Sequence, residues 1–132
     1  MSRNNAFTLI ELMIVIVVLG IMAAFAIPNF TKSLDRAYAR DARNNLMAIH
    51  AAQQIYHAQN GTYWPAGGDL VAINNGLRLN VIANGVTYTC DGGGSLSFTC
   101  SAVRGSLSVT VDQNPLSSTN PTCPTVLGTC NN

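Results

Sequence analysis

Apolar and polar positions divide the chain into three regimes. From Phe7 to Thr31 the run FTLIELMIVIVVLGIMAAFAIPNFT carries one ionisable side chain, Glu11. As a helix this stretch would be about 37 Å long at ~1.5 Å per residue, enough to cross a hydrocarbon core of ~30 Å. Beyond Pro28 the pattern turns amphipathic. Leu34, Tyr38, Ala42, Leu46, Ile49, Ala52 and Tyr56 recur at three- or four-residue steps, which predicts a stripe packed on a sheet. The opposite surface carries Lys32, Arg36, Arg40 and Arg43. Asn60-Gly61 stops the helix, because glycine tolerates the left-handed conformation needed just past a helix end. The helix from Phe7 to about Ala58 would then be roughly 75–80 Å long. A domain of 132 residues does not enclose such a rod, so its N-terminal half must find other cover. Pro28 lacks a backbone N–H, Gly20 weakens the run, and Val15 to Val18 is a β-branched cluster. These features predict a kink near Ala24–Pro28, with a gentle bend as the alternative.

The third regime is short and alternating. Thr62 to Leu79 is a connecting region with turn signals, in which Asp69 to Asn75 forms a short helix docking Leu70, Val71 and Ile73 on the sheet. Val86 to Cys90 and Leu96 to Cys100 read as two strands around Asp91-Gly92-Gly93-Gly94-Ser95, and Ser106 to Val111 as a third. Asn114 to Asn132 shows no regular pattern. The fold class is α+β: a long N-terminal helix packed on a small antiparallel sheet.

Charge narrows the function. Seven Lys and Arg against six Asp and Glu give a net charge of +1, unlike the strongly basic balance of a dedicated nucleic-acid binder. Asp35 and Asp41 dilute the basic stripe into a solvated, partly paired face. His50 and His57 share a helical face, but no third ligand accompanies them, so they read as ordinary surface histidines and no metal site is expected. Asn29-Phe30-Thr31 and Asn60-Gly61-Thr62 match a glycosylation sequon, although helix context and the helix stop explain both as well. No nucleophile motif or phosphate loop occurs. The chain is expected to be no enzyme and to take no cofactor.

Cys90, Cys100, Cys123 and Cys130 all lie late in the chain, and none forms a CxxC pair. Their even number favours disulfides in an oxidising compartment over reduced thiols, and their spacing does not suit zinc. Nearest neighbours give Cys90–Cys100 and Cys123–Cys130. If Asp91 to Ser95 is the hairpin loop, however, Cys100 lies about 13 Å beyond the position opposite Cys90, at ~3.4 Å per residue. A bridge needs Cα atoms within roughly 7 Å. Either the loop is longer or the strands slip, or the tail cysteines cross over to Cys90 and Cys100. All three connectivities remain open at this level.

Glu11 is the most informative residue. A carboxylate in a membrane helix costs on the order of 2.5–3.5 kcal/mol, less near an interface, and is usually functional. No Lys, Arg or His lies between Arg3 and Lys32, so its partner is Arg3 or comes from another molecule. An ordinary signal peptide, cut after Ala24-Phe25-Ala26, is the competing reading. It gains nothing from Glu11, and helical periodicity continues past Pro28.

The stretch FTLIELMIVIVVLGIMAAFAIPNF resembles the N-terminal signature of type IV pilins and their pseudopilin relatives. The resemblance implies a leader of residues 1–6, cut between Ala6 and Phe7 by a prepilin peptidase, with N-methylation of Phe7. It also implies a hydrophobic transmembrane and filament-core helix over 7–31 and a globular domain over 32–132 with a C-terminal disulfide-containing region. Glu11 falls at the family's fifth mature residue, and Gly20 and Pro28 match its helix-breaking positions, which implies local unwinding between them in the fibre. The family's usual glycine before the cut is Ala6 here, which implies slower processing or a divergent peptidase. Glu11, Gly20 and Pro28 are thus the filament-assembly residues. Glu11 would pair with the Phe7 amine of a neighbouring subunit, so that two costly charges neutralise each other and set register.

The implied partners are other copies of the chain, the prepilin peptidase and methyltransferase, the inner-membrane assembly machinery, and the membrane itself, with nucleic acid unlikely. The implied location is the inner membrane, then an extracellular pilus. Two other functions stay open: a minor pilin capturing DNA or a surface ligand, and a pseudopilin of a type II secretion system. Major pseudopilins carry an acidic calcium-binding loop near the C-terminus. Here only Asp112 is acidic after Asp91, and the four cysteines and neutral tail look more like pilins.

Overall fold

The computed structural model describes residues 7–64, 67–91, 96–117, 119–122 and 124. Helix α1 spans Leu9–Asn60 and α2 spans Leu70–Leu77. Strands β1 (Thr87–Asp91), β2 (Thr99–Arg104) and β3 (Leu107–Asp112) form an antiparallel sheet in the order β1-β2-β3. The chain is α+β, a long N-terminal helix and a small antiparallel sheet, as the pattern predicts. It divides into two compact units, Met1–Leu34 and Asp35–Asn132, and α1 contributes to both.

The helical backbone of α1 continues through Gly20 and Pro28 without interruption. It ends where expected: Gly61 has φ +74°, and its N–H donates to His57 O at 2.8 Å. Both sequon asparagines donate their side-chain amides to the carbonyl four residues back, Asn29 to Phe25 at 3.3 Å and Asn60 to Tyr56 at 3.0 Å.

In the second unit, the buried line on α1 is Ala39, Ala42, Leu46 and Ile49, together with His50 and Gln53. It meets Tyr88 and Cys90 of β1, Cys100 and Ala102 of β2, Val109 and Val111 of β3, and Ile73 of α2 in one core. The line is rotated from the expected stripe. Tyr38, Ala52 and Tyr56 are only half-buried on its flank, and in the first unit Leu34 is exposed. His50 is not a surface residue: it is buried, with its ring 5.8 Å from that of Phe98. A hydropathy stripe misses both His50 and Gln53 because they are polar, yet each has a partner inside. Gln53 Oε1 accepts from Trp64 N–H at 2.9 Å, and His50 Nε2 lies 2.9 Å from Asn114 O. Asn45 Nδ2 donates to the Tyr88 hydroxyl at 2.8 Å. Burial pushes the Tyr88 phenol above its ordinary pKa; the Asn45 hydrogen bond opposes the rise and the Asp41 charge adds to it. At the edge of the core, the Arg104 guanidinium sits 3.3 Å from the centre of the Tyr38 ring, a cation–π contact.

Asp69 caps α2, its Oδ1 accepting from Ala72 N–H at 3.1 Å. The helix runs two residues past the expected Asn75. Leu77 is buried in place of Val71, which is 65% exposed. Asn74 pins the following chain by bonding both the N–H and the C=O of Val81 at 2.9 Å. Gly76 faces Trp64 so closely that a Cβ there would overlap the indole ring. Gly76→Ala is therefore expected to destabilise the protein by about 1–2 kcal/mol. The gain in helix propensity, ~1 kcal/mol, is outweighed by overpacking against a rigid ring. Denaturant titration followed by Trp64 fluorescence checks this, with a lower midpoint and a changed native emission as the result.

The first hairpin differs from its expected form. β2 begins at Thr99 rather than Leu96, so the connection from Asp91 is longer than five residues and the register sets Cys90 opposite Cys100. The second hairpin turns through Gly105-Ser106, with Gly105 at φ +56°. Alternate residues turn to the sheet's other face: Thr87, Thr89 and Asp91 on β1, Thr99, Ser101 and Val103 on β2, and Ser108, Thr110 and Asp112 on β3, with Ser101, Thr110 and Asp112 half-buried and the rest exposed. Thr89 and Ser101 join their hydroxyls across the strands at 2.8 Å. Gly68 bridges to Cys90 on the β1 edge, exchanging backbone hydrogen bonds of 3.3 and 3.4 Å.

Candidate functional site

The chain enters α1 through Phe7 and Thr8, which precede the first helical residue, Leu9. The Glu11 N–H donates to Thr8 O at 3.1 Å and lies 3.3 Å from Thr8 Oγ1; the Leu12 N–H donates to Thr8 O at 3.4 Å. Thr8-Leu9-Ile10-Glu11 thus has the T-x-x-E spacing of a capping box, in which the first side chain satisfies an amide otherwise orphaned at the helix start. The Thr8 hydroxyl also faces Glu11 Oε2 at 3.5 Å. Glu11 stands in the first turn, where the positive end of the helix dipole favours a carboxylate. In the sequence Glu11 stands out as a charge in an apolar run and Thr8 does not, although its spacing from Glu11 is the signal.

The surroundings of Glu11 are apolar and uncovered. Phe7 is 77% exposed, and Leu9, Ile10, Leu12, Met13 and Ile14 are all exposed. α1 is long and apolar enough to cross a membrane, and its most apolar window has no buried residue. Gly20 lies in the middle of this surface with open space around the position of a Cβ. Nothing inside the subunit therefore requires glycine there. Pro28 is also within the helix.

The predicted site residues separate into two groups. Phe7 just precedes α1 and Glu11 stands in its first turn, with Gly20 and Pro28 further along the same helix. Cys90 and Cys100 form a disulfide in the second unit, with Cα atoms 4.0 Å apart. The geometric objection to that pair fails because the strands begin later than expected. Ala6, Cys123 and Cys130 lie outside the described residues. Among the described residues, no group of three or more His, Cys, Asp or Glu side chains is placed to hold a metal ion.

Known proteins similar to this chain bear on its N-terminal stretch. The family described as prokaryotic N-terminal methylation motif matches residues 1–27. The chain is 48% identical over 61 residues to the type IV major pilin protein PilA of Myxococcus xanthus, covering 46% of this chain and 28% of that one. It is 35% identical over 63 residues to the type II secretion system core protein G of Vibrio cholerae, covering 48% and 43%. The core protein G of Pseudomonas aeruginosa is 39% identical over 61 residues, covering 46% and 43%. The chain spans less than half the length of each of these relatives. No solved structure matches it. The methylation motif, the exposed apolar helix and the carboxylate in its first turn coincide at the start of the chain, and the chain is similar to a type IV major pilin and to type II secretion core proteins.

Proposed function

We propose that this chain is a structural subunit of an extracellular type IV pilus, drawn from an inner-membrane pool through its hydrophobic N-terminal helix. The observation that carries the reading is the exposed apolar surface of α1 with Glu11 in its first turn. Such a surface needs lipid before assembly and sister helices afterwards, and a lone carboxylate within it needs a cation. In this reading residues 1–6 are a leader cut between Ala6 and Phe7. The new Phe7 amine, N-methylated, is positive near neutral pH and pairs with Glu11 of a neighbour. Residues 7–31 form the membrane and filament-core segment, and 32–132 the globular domain. Gly20 and Pro28 would act in the fibre, where α1 loosens between them. The partners are further copies of the chain, the prepilin peptidase and methyltransferase, and the inner-membrane assembly machinery. The role is structural and uses no cofactor.

Mature protein is expected to begin at N-methylated Phe7. Intact mass and N-terminal sequencing of sheared surface fibres check this, and a start at Ile27 would replace the pilin reading with an ordinary secretory signal. A pseudopilin of a type II secretion system is the second reading, favoured by the similarity to core protein G. The same preparation separates the two. A main band in sheared fibres supports the pilus. Absence from fibres, with loss of protein export on deletion, supports the secretion system.

A further inference from the structure

Three polar side chains of α1 meet the main chain of one segment. Arg43 Nη2 donates to Ser117 O at 3.4 Å, His50 Nε2 lies 2.9 Å from Asn114 O, and Gln54 Nε2 donates to Gln113 O at 3.2 Å. A carbonyl oxygen only accepts, so the His50 hydrogen sits on Nε2. Positions 43, 50 and 54 fall on one helical stripe, since steps of seven and four residues are close to whole turns. As α1 advances from 43 to 54, the carbonyls retreat from 117 to 113, so the segment runs antiparallel to the helix. An irregular segment has no ladder of its own, and its carbonyls must be satisfied elsewhere. Here the helix supplies the donors, which gives a physical reason for a polar line beside an apolar core.

The same segment leads to the free edge of β3. The Thr122 N–H donates to Thr110 O at 2.8 Å, and the Thr110 N–H donates to Thr122 Oγ1 at 2.8 Å. Asp112 N–H donates to Asn120 Oδ1 at 3.2 Å. Asn120 Nδ2 in turn donates to Asp112 Oδ1 at 2.9 Å and to Asn114 O at 2.7 Å. Pro121 is fully buried. The other side of β3 is already paired with β2. Left open, this edge would offer N–H and C=O groups to any extended chain.

We propose that residues 113–117 and 119–122 form a strap that closes the β3 edge, held shut by the donors of Arg43, His50 and Gln54. The strap is tied to α1 by side-chain bonds to its carbonyls, whereas the β1–β2 pair is joined covalently at Cys90–Cys100. It therefore opens as a unit, before the rest of the sheet.

Amide hydrogen exchange on the full chain in detergent micelles tests this. His50→Phe with Gln54→Met keeps a ring beside Phe98 and a similar volume at 54, but removes two donors. The Thr110, Asp112 and Thr122 amides are expected to exchange at least tenfold faster, while β2 amides facing β1 keep their protection. His50→Gln retains a donor and is expected to restore slow exchange. Gln54→Met alone, at a half-buried position, is the milder variant, with about a threefold effect expected at the same amides. An intact Cys90–Cys100 bond and unchanged Trp64 emission certify the fold. Unchanged exchange at the three amides overturns the proposal, as does uniform acceleration across the whole sheet.

Discussion

Glu11→Gln is expected to leave the subunit inserted in the membrane and to cut fibre yield at least tenfold. Two effects of opposite sign compete. Removing the carboxylate would ease insertion by at most ~2.5–3.5 kcal/mol, and by less if the first turn of α1, which holds Glu11, sits near an interface. Under the proposed pairing the same change would leave the Phe7 amine of a neighbour buried in the fibre without its partner, and breaking a buried pair in this way costs about 3–5 kcal/mol. Assembly therefore suffers while the membrane pool grows. Quantifying the chain in sheared fibres and in inner membranes checks both halves. Normal fibre yield from a membrane-inserted variant would contradict the pairing. Gln keeps the side-chain length, so a loss cannot be assigned to packing.

Removing both cysteines of the described bridge, as Cys90→Ala with Cys100→Ala, has the second large expected effect. The bond closes a sequence separation of 10 residues, for which chain entropy predicts about 2.7 kcal/mol of stabilisation, within the ~2–4 kcal/mol common for disulfides. Both residues are buried, and truncating each leaves a small void in the centre of the core. The double variant is expected to lose about 3–4 kcal/mol, measured as a lower denaturant midpoint in detergent. Reductant added to the folded wild type is expected to act slowly, because neither sulfur is exposed. A variant as stable as the wild type would mean that the sheet and α1 specify the register without the covalent link.

The large features of this fold were readable because single physical causes control them. The apolar run, the helix stop at Gly61 and the outward alternation on β3 follow from burial and backbone freedom. The polar interior was not readable in the same way. His50 and Gln53 belong to the buried face because Asn114 O and Trp64 N–H need partners, and those partners lie 64 and 11 residues away. Nothing local marks them. The Cys90–Cys100 register depended on where β2 begins, a boundary that glycine-rich turn chemistry leaves free to move. Gly76 shows the same limit. Its neighbours suggest a turn, but its cause is the Trp64 ring, which sequence distance conceals. At the candidate site, Glu11 was legible as a charge out of place, while Thr8 took its meaning from the geometry of the first turn.

The double attachment of Cys90 also has a mechanical side. Its sulfur is bonded across the sheet to Cys100, and its main chain is bonded to Gly68 on the other side. A pull on the chain that strips the Gly68 contact still meets a covalent stop. With a separation of 10 residues locked behind that stop, about 35 Å of contour length stays sequestered at ~3.3–3.6 Å per residue. The centre of the sheet would thus act as a limiter of extension, yielding hydrogen bonds under load while withholding length.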